Sequence, residues 1–255
     1  MSDLFDLTGR VAVMTGASKG MGAEMARGLA QHGATVVISS RTQEDLDATA
    51  AKINEAVGVN RVHGVAANVA QKEELTALIE KTNEIAGTPT IVVGNAGANP
   101  YYGPTSGIPD EAYDRTLDVN VKSNLWLAQL TAPAMTEGGA IMFTSSIGAF
   151  KPSTMLGTYA MAKLAVLGLV RNMAAEFGPQ GVRVNAICPG LVKTDFARAL
   201  WEDPKAAAAA TRQVPLGRLG EPEDFRGIAV FLASQAGRYV NGQALTVDGG
   251  SVMWT

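Results

Sequence analysis

Short apolar runs alternate with longer amphipathic stretches along almost the whole chain. The apolar runs are rich in β-branched residues and have the length of buried strands. Seven of them are predicted as strands: 10–15, 34–40, 61–67, 90–94, 140–146, 182–188 and 244–247. Between them, six segments carry a helical pattern: 20–32, 43–57, 71–85, 110–135, 157–178 and 221–234.

This alternation predicts an α/β fold of one domain, residues 1–255, built as a Rossmann-type, doubly wound parallel sheet with helices on both faces. Parallel neighbours need a crossover of about a dozen residues or more, which is usually a helix. Ligands of such sheets bind at the carboxyl ends of the strands. We therefore expect the functional loops directly after residues 15, 40, 67, 94, 146 and 188.

Residues 189–215 depart from the alternation, because a strand is followed by a short helical run and an alanine-rich patch. A connection of this length within a compact domain is usually functional. We interpret it as a lid or substrate loop. An additional surface helix is the alternative.

Composition narrows the classes of function. The 255 residues carry a net charge of −3 without a basic stripe, which disfavours a nucleic-acid partner. No apolar run has the length of a membrane span, and residues 1–10 do not resemble a signal peptide. The single cysteine, Cys188, favours a reducing, cytoplasmic location. With only two histidines, we expect neither a metal site nor a serine–histidine triad.

The first two strand ends have the features of a dinucleotide site. "TGASKGMG" follows the first strand, and its glycines at 16, 20 and 22 let a pyrophosphate approach the backbone and the helix N-terminus. The second strand ends at Ser40 and Arg41 without a carboxylate, which favours the 2′-phosphate of NADP over NAD. We expect Lys19 to converge on the same phosphate. Arg41 as a solvated loop charge remains the alternative.

Candidate chemistry lies near the later strand ends. "GNAG" spans 94–97, Ser146 ends the fifth strand, and Tyr159 and Lys163 stand one helical turn apart. Asn120 lies in the preceding long helix. Each of these residues alone is as compatible with a structural role as with a catalytic one.

Taken together, the motifs resemble the short-chain dehydrogenase/reductase (SDR) family nearly end to end. The features that carry the resemblance are "TGASKGMG", "NAG" at 95–97, Asn120 in "LDVNV", Ser146, "YAMAK" at 159–163, "PG" at 189–190 with Thr194, and "VDGG" at 247–250. Two positions depart from the family pattern. Gly94 replaces a polar residue, which we expect to affect only loop support, and Asn68 replaces an aspartate before Val69.

The resemblance implies a homo-oligomeric, NADP(H)-dependent oxidoreductase acting on a small carbonyl or alcohol, either tetrameric or dimeric. It implies Tyr159 as acid/base, Lys163 as the residue that lowers the tyrosine pKa and binds the ribose, Ser146 as substrate-orienting and Asn120 in a proton relay. The implied cofactor-binding residues are Gly16, Ser18, Lys19, Gly20, Met21, Gly22, Ser40, Arg41, Asn68, Val69, Asn95, Ala96, Gly97, Tyr159, Lys163, Pro189, Gly190, Val192 and Thr194.

The segments "VKTDFARALWEDP" (192–204) and "LGRLGEPEDF" (216–225) resemble in particular the NADPH-dependent carbonyl reductases of the dehydrogenase/reductase member 4 type, and "VVISSRT" (36–42) is consistent with this. Phe150, Phe196 and Trp201 are candidates for the substrate pocket beside Ser146, with core or interface packing as the alternative. Two other functions stay open. One is a 3-oxoacyl-carrier-protein reductase, disfavoured by the neutral to acidic "PAMTEGGA". The other is a non-catalytic NADP-binding sensor, disfavoured because all four catalytic positions are present.

Overall fold

A computed structural model describes residues 3–253, and within them seven parallel strands form one sheet in the order β3-β2-β1-β4-β5-β6-β7. The strands are β1 (Val11–Thr15), β2 (Thr35–Ser39), β3 (Val62–Gly64), β4 (Ile91–Gly94), β5 (Gly139–Thr144), β6 (Val182–Pro189) and β7 (Ala244–Val247). This sheet confirms the predicted fold class. The predicted domain 1–255 extends beyond the description, since residues 1–2 and 254–255 lie outside it.

Helices cover both faces of the sheet. They are α1 (Gly20–Gln31), α2 (Gln43–Val57), α3 (Lys72–Ala86), α4 (Asp110–Leu117), α5 (Ser123–Thr131), α6 (Gly157–Phe177), α7 (Arg198–Trp201), α8 (Pro204–Thr211) and α9 (Arg226–Ala233). Successive strand residues point to opposite faces. Thus Met14 packs with the core of α1 and α9, whereas Val13 packs with that of α3, α5 and α6. Two apolar layers therefore bury the sheet.

The predicted helix 110–135 is not one regular helix. α4 ends at Leu117, five residues with π-helical hydrogen bonding follow (Asp118–Lys122), and α5 continues from Ser123. A π-helical turn inserts a residue and re-aims the side chains beyond it. It does not alter the apolar pattern enough for the sequence to reveal it. The predicted helix 221–234 likewise begins as a 3₁₀ turn, Pro222–Phe225.

The segment 189–215 is the other departure from strand–helix alternation. It contains a 3₁₀ turn (Asp195–Ala197) and the short helices α7 and α8. It follows the carboxyl end of β6 directly, and we name residues 189–215 the lid. The additional helix that we gave as the alternative is therefore present, and the role of the segment as a lid or substrate loop stays a prediction. None of the described helices is long and apolar enough to cross a membrane.

Candidate active site

The sheet reverses its winding direction between β1 and β4, which lie side by side although β2 and β3 follow β1 in the chain. In doubly wound sheets, the crevice at the carboxyl ends beside this point is the usual ligand site. β1, β4 and β5 end there at Thr15, Gly94 and Thr144. The loops that carry the predicted motifs therefore meet at one edge, which we call the carboxyl edge.

The glycine loop and the "GNAG" turn are in direct contact. Gly16 has a φ of +63°, and a Cβ atom there would lie 2.7 Å from the Ala96 Cα, so both the conformation and the space require glycine. Asn95 Nδ2 donates to Gly16 O at 2.7 Å, and Thr144 Oγ1 donates to Asn95 Oδ1 at 2.9 Å. These bonds tie together the loops after β1, β4 and β5.

Tyr159 and Lys163 lie on the first turns of α6, as their spacing predicts. Lys163 Nζ stands 5.4 Å from the centroid of the Tyr159 ring and donates to Thr144 O at 2.8 Å. Ser145 Oγ donates to Lys163 O at 2.7 Å, which fixes the helix against the end of β5. Only 2% of Lys163 is exposed, and this burial lowers its pKa to about 8. Lys163 therefore loses its proton at a pH closer to neutral than an exposed lysine does.

The pKa of Tyr159 differs from the expectation. Burial raises it to about 12, and a hydrogen bond with the Ser146 side chain lowers it by a smaller amount. The chain's own surroundings therefore keep the phenol protonated, rather than lowering its pKa through Lys163.

Asn120 lies inside the π-helical turn and is fully buried. Its Nδ2 donates to Ala98 O at 2.7 Å and to Thr116 O at 2.8 Å, while its Oδ1 is buried without a hydrogen-bond donor. A Cβ atom at Gly97 would lie 3.3 Å from that oxygen and 3.7 Å from Lys163 Nζ. The missing side chain at Gly97 therefore leaves a cradle between an amide oxygen and an ammonium.

These features fit a nicotinamide dinucleotide. The glycine loop offers backbone N–H groups at the start of α1 for a pyrophosphate. The cradle at Gly97 offers a donor, Lys163 Nζ, for the hydroxyl groups of a ribose. Within residues 3–253, no group of three His, Cys, Asp or Glu side chains has the arrangement of a metal site.

The residues predicted at the adenosine end of the site have different surroundings. Arg41 is exposed just past the end of β2. Lys19, expected beside it, instead forms an ion pair with Asp195 of the lid, with Nζ 2.8 Å from Oδ2. The Asn68 Oδ1 atom accepts a hydrogen bond from Ala70 N, two residues further along the chain, at 3.2 Å. Lys19 therefore connects the glycine loop to the lid.

The three aromatic candidates have different surroundings. The Phe196 ring lies 5.9 Å from that of Tyr159 and is 58% exposed, so it forms a wall beside the phenol. Trp201 Nε1 donates to Thr194 O at 3.0 Å, a hydrogen bond between two residues of the lid. Phe150 lines another cavity, beside β7, together with Arg171 and Met253. Of the three, Phe196 is the one in contact with Tyr159.

Sequence reasoning missed residues that act through their backbone or by filling space. Thr144 holds Lys163 through its carbonyl oxygen, which any residue type provides. Asn124 fills the place of a side chain at Gly94, since a Cβ there would overlap its Oδ1. Its Nδ2 donates to Asn120 O at 2.9 Å. Support for the loop at Gly94 thus comes from α5, and no local pattern indicates it.

Fold and site together define a nicotinamide-dependent oxidoreductase with a parallel, doubly wound sheet. A family model described as enoyl-(acyl carrier protein) reductase matches residues 16–252. The chain is 38% identical over 248 residues to dehydrogenase/reductase SDR family member 4 of Bos taurus, covering 96% of this chain and 88% of that protein. The chain belongs to the short-chain dehydrogenase/reductase family.

Solved structures agree with this membership. A 7α-hydroxysteroid dehydrogenase complexed with NADH and 7-oxo glycochenodeoxycholic acid is 34% identical with a TM-score of 0.93, covering 100% of this chain and 98% of that one. Gluconate 5-dehydrogenase from Burkholderia cenocepacia, in complex with NADP and tartrate, is 31% identical with a TM-score of 0.92, covering 99% of each chain. As a family member, this protein is an NAD(P)-dependent oxidoreductase acting on CH–OH groups.

Proposed function

We propose that this enzyme interconverts a ketone or aldehyde and the corresponding alcohol, with NADP(H) as the preferred cofactor and Tyr159 as the acid/base. The observation that carries the proposal is the convergence of Tyr159, Lys163 and Asn120 around the cradle at Gly97. Ser146 completes the site, since its side chain lowers the pKa of the Tyr159 phenol. A bound nicotinamide supplies or accepts the hydride.

Tyr159 gives its proton to the carbonyl oxygen during reduction and takes a proton back during oxidation. With a pKa raised to about 12 by burial, the phenol is protonated at neutral pH. An alkoxide oxygen is a stronger base than a phenolate, so the transfer to the oxygen that develops during reduction is downhill. Burial therefore favours Tyr159 as a proton donor.

The other three side chains position the reacting groups and carry protons. Ser146 orients the substrate oxygen toward the phenol. An ammonium has three donors, and Lys163 uses one on Thr144 O, so it has donors left for the hydroxyl groups of a ribose. The buried Asn120 Oδ1 accepts a hydrogen bond from a water molecule that links Lys163 to the outside.

The test is Tyr159→Phe, measured as steady-state carbonyl reduction and as NADPH affinity by fluorescence titration. We expect turnover to fall by about 10²–10⁴-fold, the range of a general acid/base, with unchanged NADPH affinity. Tyr113→Phe, at an exposed tyrosine of α4, is the matched control and keeps full activity. Unchanged turnover in Tyr159→Phe refutes the mechanism. A loss of NADPH binding would instead assign Tyr159 to the cofactor.

The preference for NADP(H) rests on Arg41 at the end of β2. An arginine there accommodates a 2′-phosphate, whereas a carboxylate favours the free ribose of NAD. Arg41→Asp should weaken NADPH binding at least about tenfold, the value of a charge-assisted hydrogen bond, and leave NADH binding within about twofold. Equal affinity of the unmutated enzyme for both cofactors would overturn this preference.

The substrate class and the assembly belong to the same proposal. Phe196 beside Tyr159 supports a substrate with an apolar or aromatic body, to be identified by assaying ketones, aldehydes and α-dicarbonyls with both cofactors. The exposed Met161 and Leu164 on α6 support a homo-oligomer, dimeric or tetrameric, that covers this face. The single, free Cys188 supports a cytoplasmic location.

A further inference from the structure

A second concave site lies at the opposite edge of the sheet, where the strands begin. We call it the amino edge. A cavity of about 520 Å³ lies there, and its wall includes Arg10 before β1, Arg183 at the start of β6 and Arg238 after α9. Gly138, Gly139 and Gly181 form part of the wall without contributing side chains. The cavity is separated from Tyr159 by the length of the strands.

Two arginines of this cavity are fixed by hydrogen bonds to a threonine and to backbone carbonyl groups. Arg10 Nε donates to Thr90 Oγ1 at 2.7 Å, and its Nη2 donates to Thr90 O at 3.2 Å. Arg183 Nη2 donates to Leu232 O at 2.6 Å and to Ser234 O at 3.4 Å, at the end of α9. These bonds hold two guanidinium groups at a common cavity from opposite sides of β4 and β5.

The charges of these two arginines are not neutralised by the chain. Among the ion pairs within residues 3–253, none includes Arg10 or Arg183. Burial lowers the pKa of both groups, and the charge of Arg10 further lowers the pKa of Arg183. The Arg183 Nη1 atom is buried without an acceptor. Half-buried guanidinium charge that no carboxylate neutralises favours the approach of an anion.

We propose that the cavity at the amino edge binds a small polyanion, whose phosphate or carboxylate oxygens are held by Arg10 and Arg183. A guanidinium presents its N–H groups in a planar fork that pairs with two such oxygens at once. The exposed Arg238 adds charge at the rim. The site lies outside the proposed catalytic crevice and requires no part of it.

The balance of charge in the cavity weighs against a purely structural role for the arginines. Glu137 also lines the cavity, yet it forms no ion pair there among the described residues, so three cationic side chains face one acid. The remaining positive charge selects an anion and rejects a neutral ligand.

The test is isothermal titration calorimetry of the NADPH-saturated enzyme with inorganic phosphate and, separately, with citrate at constant ionic strength. Saturation with NADPH keeps both probes out of the cofactor crevice. We expect binding of phosphate, of citrate or of both. A response to phosphate alone identifies a phosphate ligand, and a response to citrate alone a polycarboxylate.

The variants assign the binding to the cavity. Arg10→Gln should weaken anion binding at least about tenfold, because a charge-assisted hydrogen bond is lost. Arg238→Gln, at the rim, should weaken it about threefold. Arg212→Gln, at an exposed arginine of the lid, is the matched control and leaves the affinity unchanged. Circular dichroism shows whether Arg10→Gln folds, and Arg238→Gln at the exposed rim carries the test if it does not.

Two outcomes overturn the proposal. One is the absence of binding by both probes to the NADPH-saturated enzyme, or binding only when NADPH is left out, which would belong to the cofactor crevice. The other is binding that the Arg10 and Arg238 variants leave as strong as in the control.

Discussion

Both edges of this sheet carry cations of different chemical types, buried at the carboxyl edge and half-buried at the amino edge. At the carboxyl edge the cation is Lys163, bonded to the Thr144 carbonyl, and burial lowers its pKa to about 8. At the amino edge the cations are Arg10 and Arg183, whose pKa values burial also lowers. Burial therefore acts in the same direction at both edges.

The consequence is different because a guanidinium does not give up its proton in a protein, whereas an ammonium does when it is buried. In the proposed mechanism, a lysine whose pKa lies near 8 takes part in proton chemistry at the carboxyl edge. In the proposed anion site, an arginine at the amino edge keeps its charge and binds. On these two proposals, the choice between lysine and arginine separates a reaction site from a binding site within one sheet.

The largest effect is expected when this choice is reversed by Lys163→Arg. The variant keeps the positive charge but cannot release a proton near pH 8 as Lys163 does. In addition, the larger planar guanidinium does not fit a position that is 2% exposed. We expect turnover to fall at least about 100-fold, within the range of a lost acid/base contribution. Steady-state reduction of a carbonyl substrate measures it.

Lys72→Arg, at an exposed position at the start of α3, is the matched control and keeps full activity. Far-UV circular dichroism establishes that the Lys163→Arg protein is folded. A folded Lys163→Arg enzyme with unchanged turnover would mean that only the charge matters at this edge, and the contrast between the two edges would disappear.

A smaller effect is expected in the pH dependence of stability. Below pH 8, Lys163 is protonated in both the folded and the unfolded chain, so the burial penalty is fully present. As the pH rises from about 8 toward 10.5, the folded chain releases this proton first, and the unfolded chain then binds more protons. The contribution of Lys163 therefore makes the free energy of unfolding increase with pH in this window.

Other groups oppose this trend at higher pH. Burial raises the pKa of Cys188 from 9.0 to about 11 and that of Tyr159 from 10.0 to about 12, so their contributions fall above pH 9 and pH 10. Denaturant unfolding of the wild type and Lys163→Met at pH 8 and 9 isolates Lys163. The free energy of unfolding of the wild type, relative to that of Lys163→Met, should increase by about 1 kcal/mol from pH 8 to pH 9. A constant difference would place the Lys163 pKa at its ordinary value.

Much of the fold and the centre of the site could be predicted from sequence because they depend on local patterns. Buried strands require continuous apolar runs, and their alternation with helices requires a parallel sheet. The glycines at 16 and 97 stand where no Cβ fits or where a cradle is needed. The spacing of Tyr159 and Lys163 fixes them on one side of a helix in any context.

What could not be predicted depends on contacts between distant parts of the chain. The carbonyl of Thr144 and the filling of space by Asn124 leave no local pattern. The partner of Lys19 is Asp195, 176 residues away, and only the folded lid brings it close. The sequence therefore indicates the place of Lys19 in the glycine loop but not its ion pair with Asp195.

The smallest effect concerns the pairing of Lys19, an exposed cation at the carboxyl edge in contrast to the half-buried arginines. Its side chain is 72% exposed and that of Asp195 is 47% exposed, so the ion pair is weak and can exchange. If Lys19 binds the 2′-phosphate as proposed, Asp195 competes for the same ammonium, and Asp195→Asn should tighten NADPH binding by about two- to fivefold. NADH lacks that phosphate and should bind unchanged.

Fluorescence titrations of both cofactors measure the effect. Glu84→Gln, which breaks the exposed Lys81–Glu84 pair of 2.7 Å on α3, is the matched control and changes neither affinity. If Asp195→Asn weakens NADPH and NADH equally, the ion pair holds the lid over either cofactor and does not compete for the phosphate. In that case Lys19 is as fixed in its role as Arg10 and Arg183, and the two edges differ only in which of their cations can lose a proton.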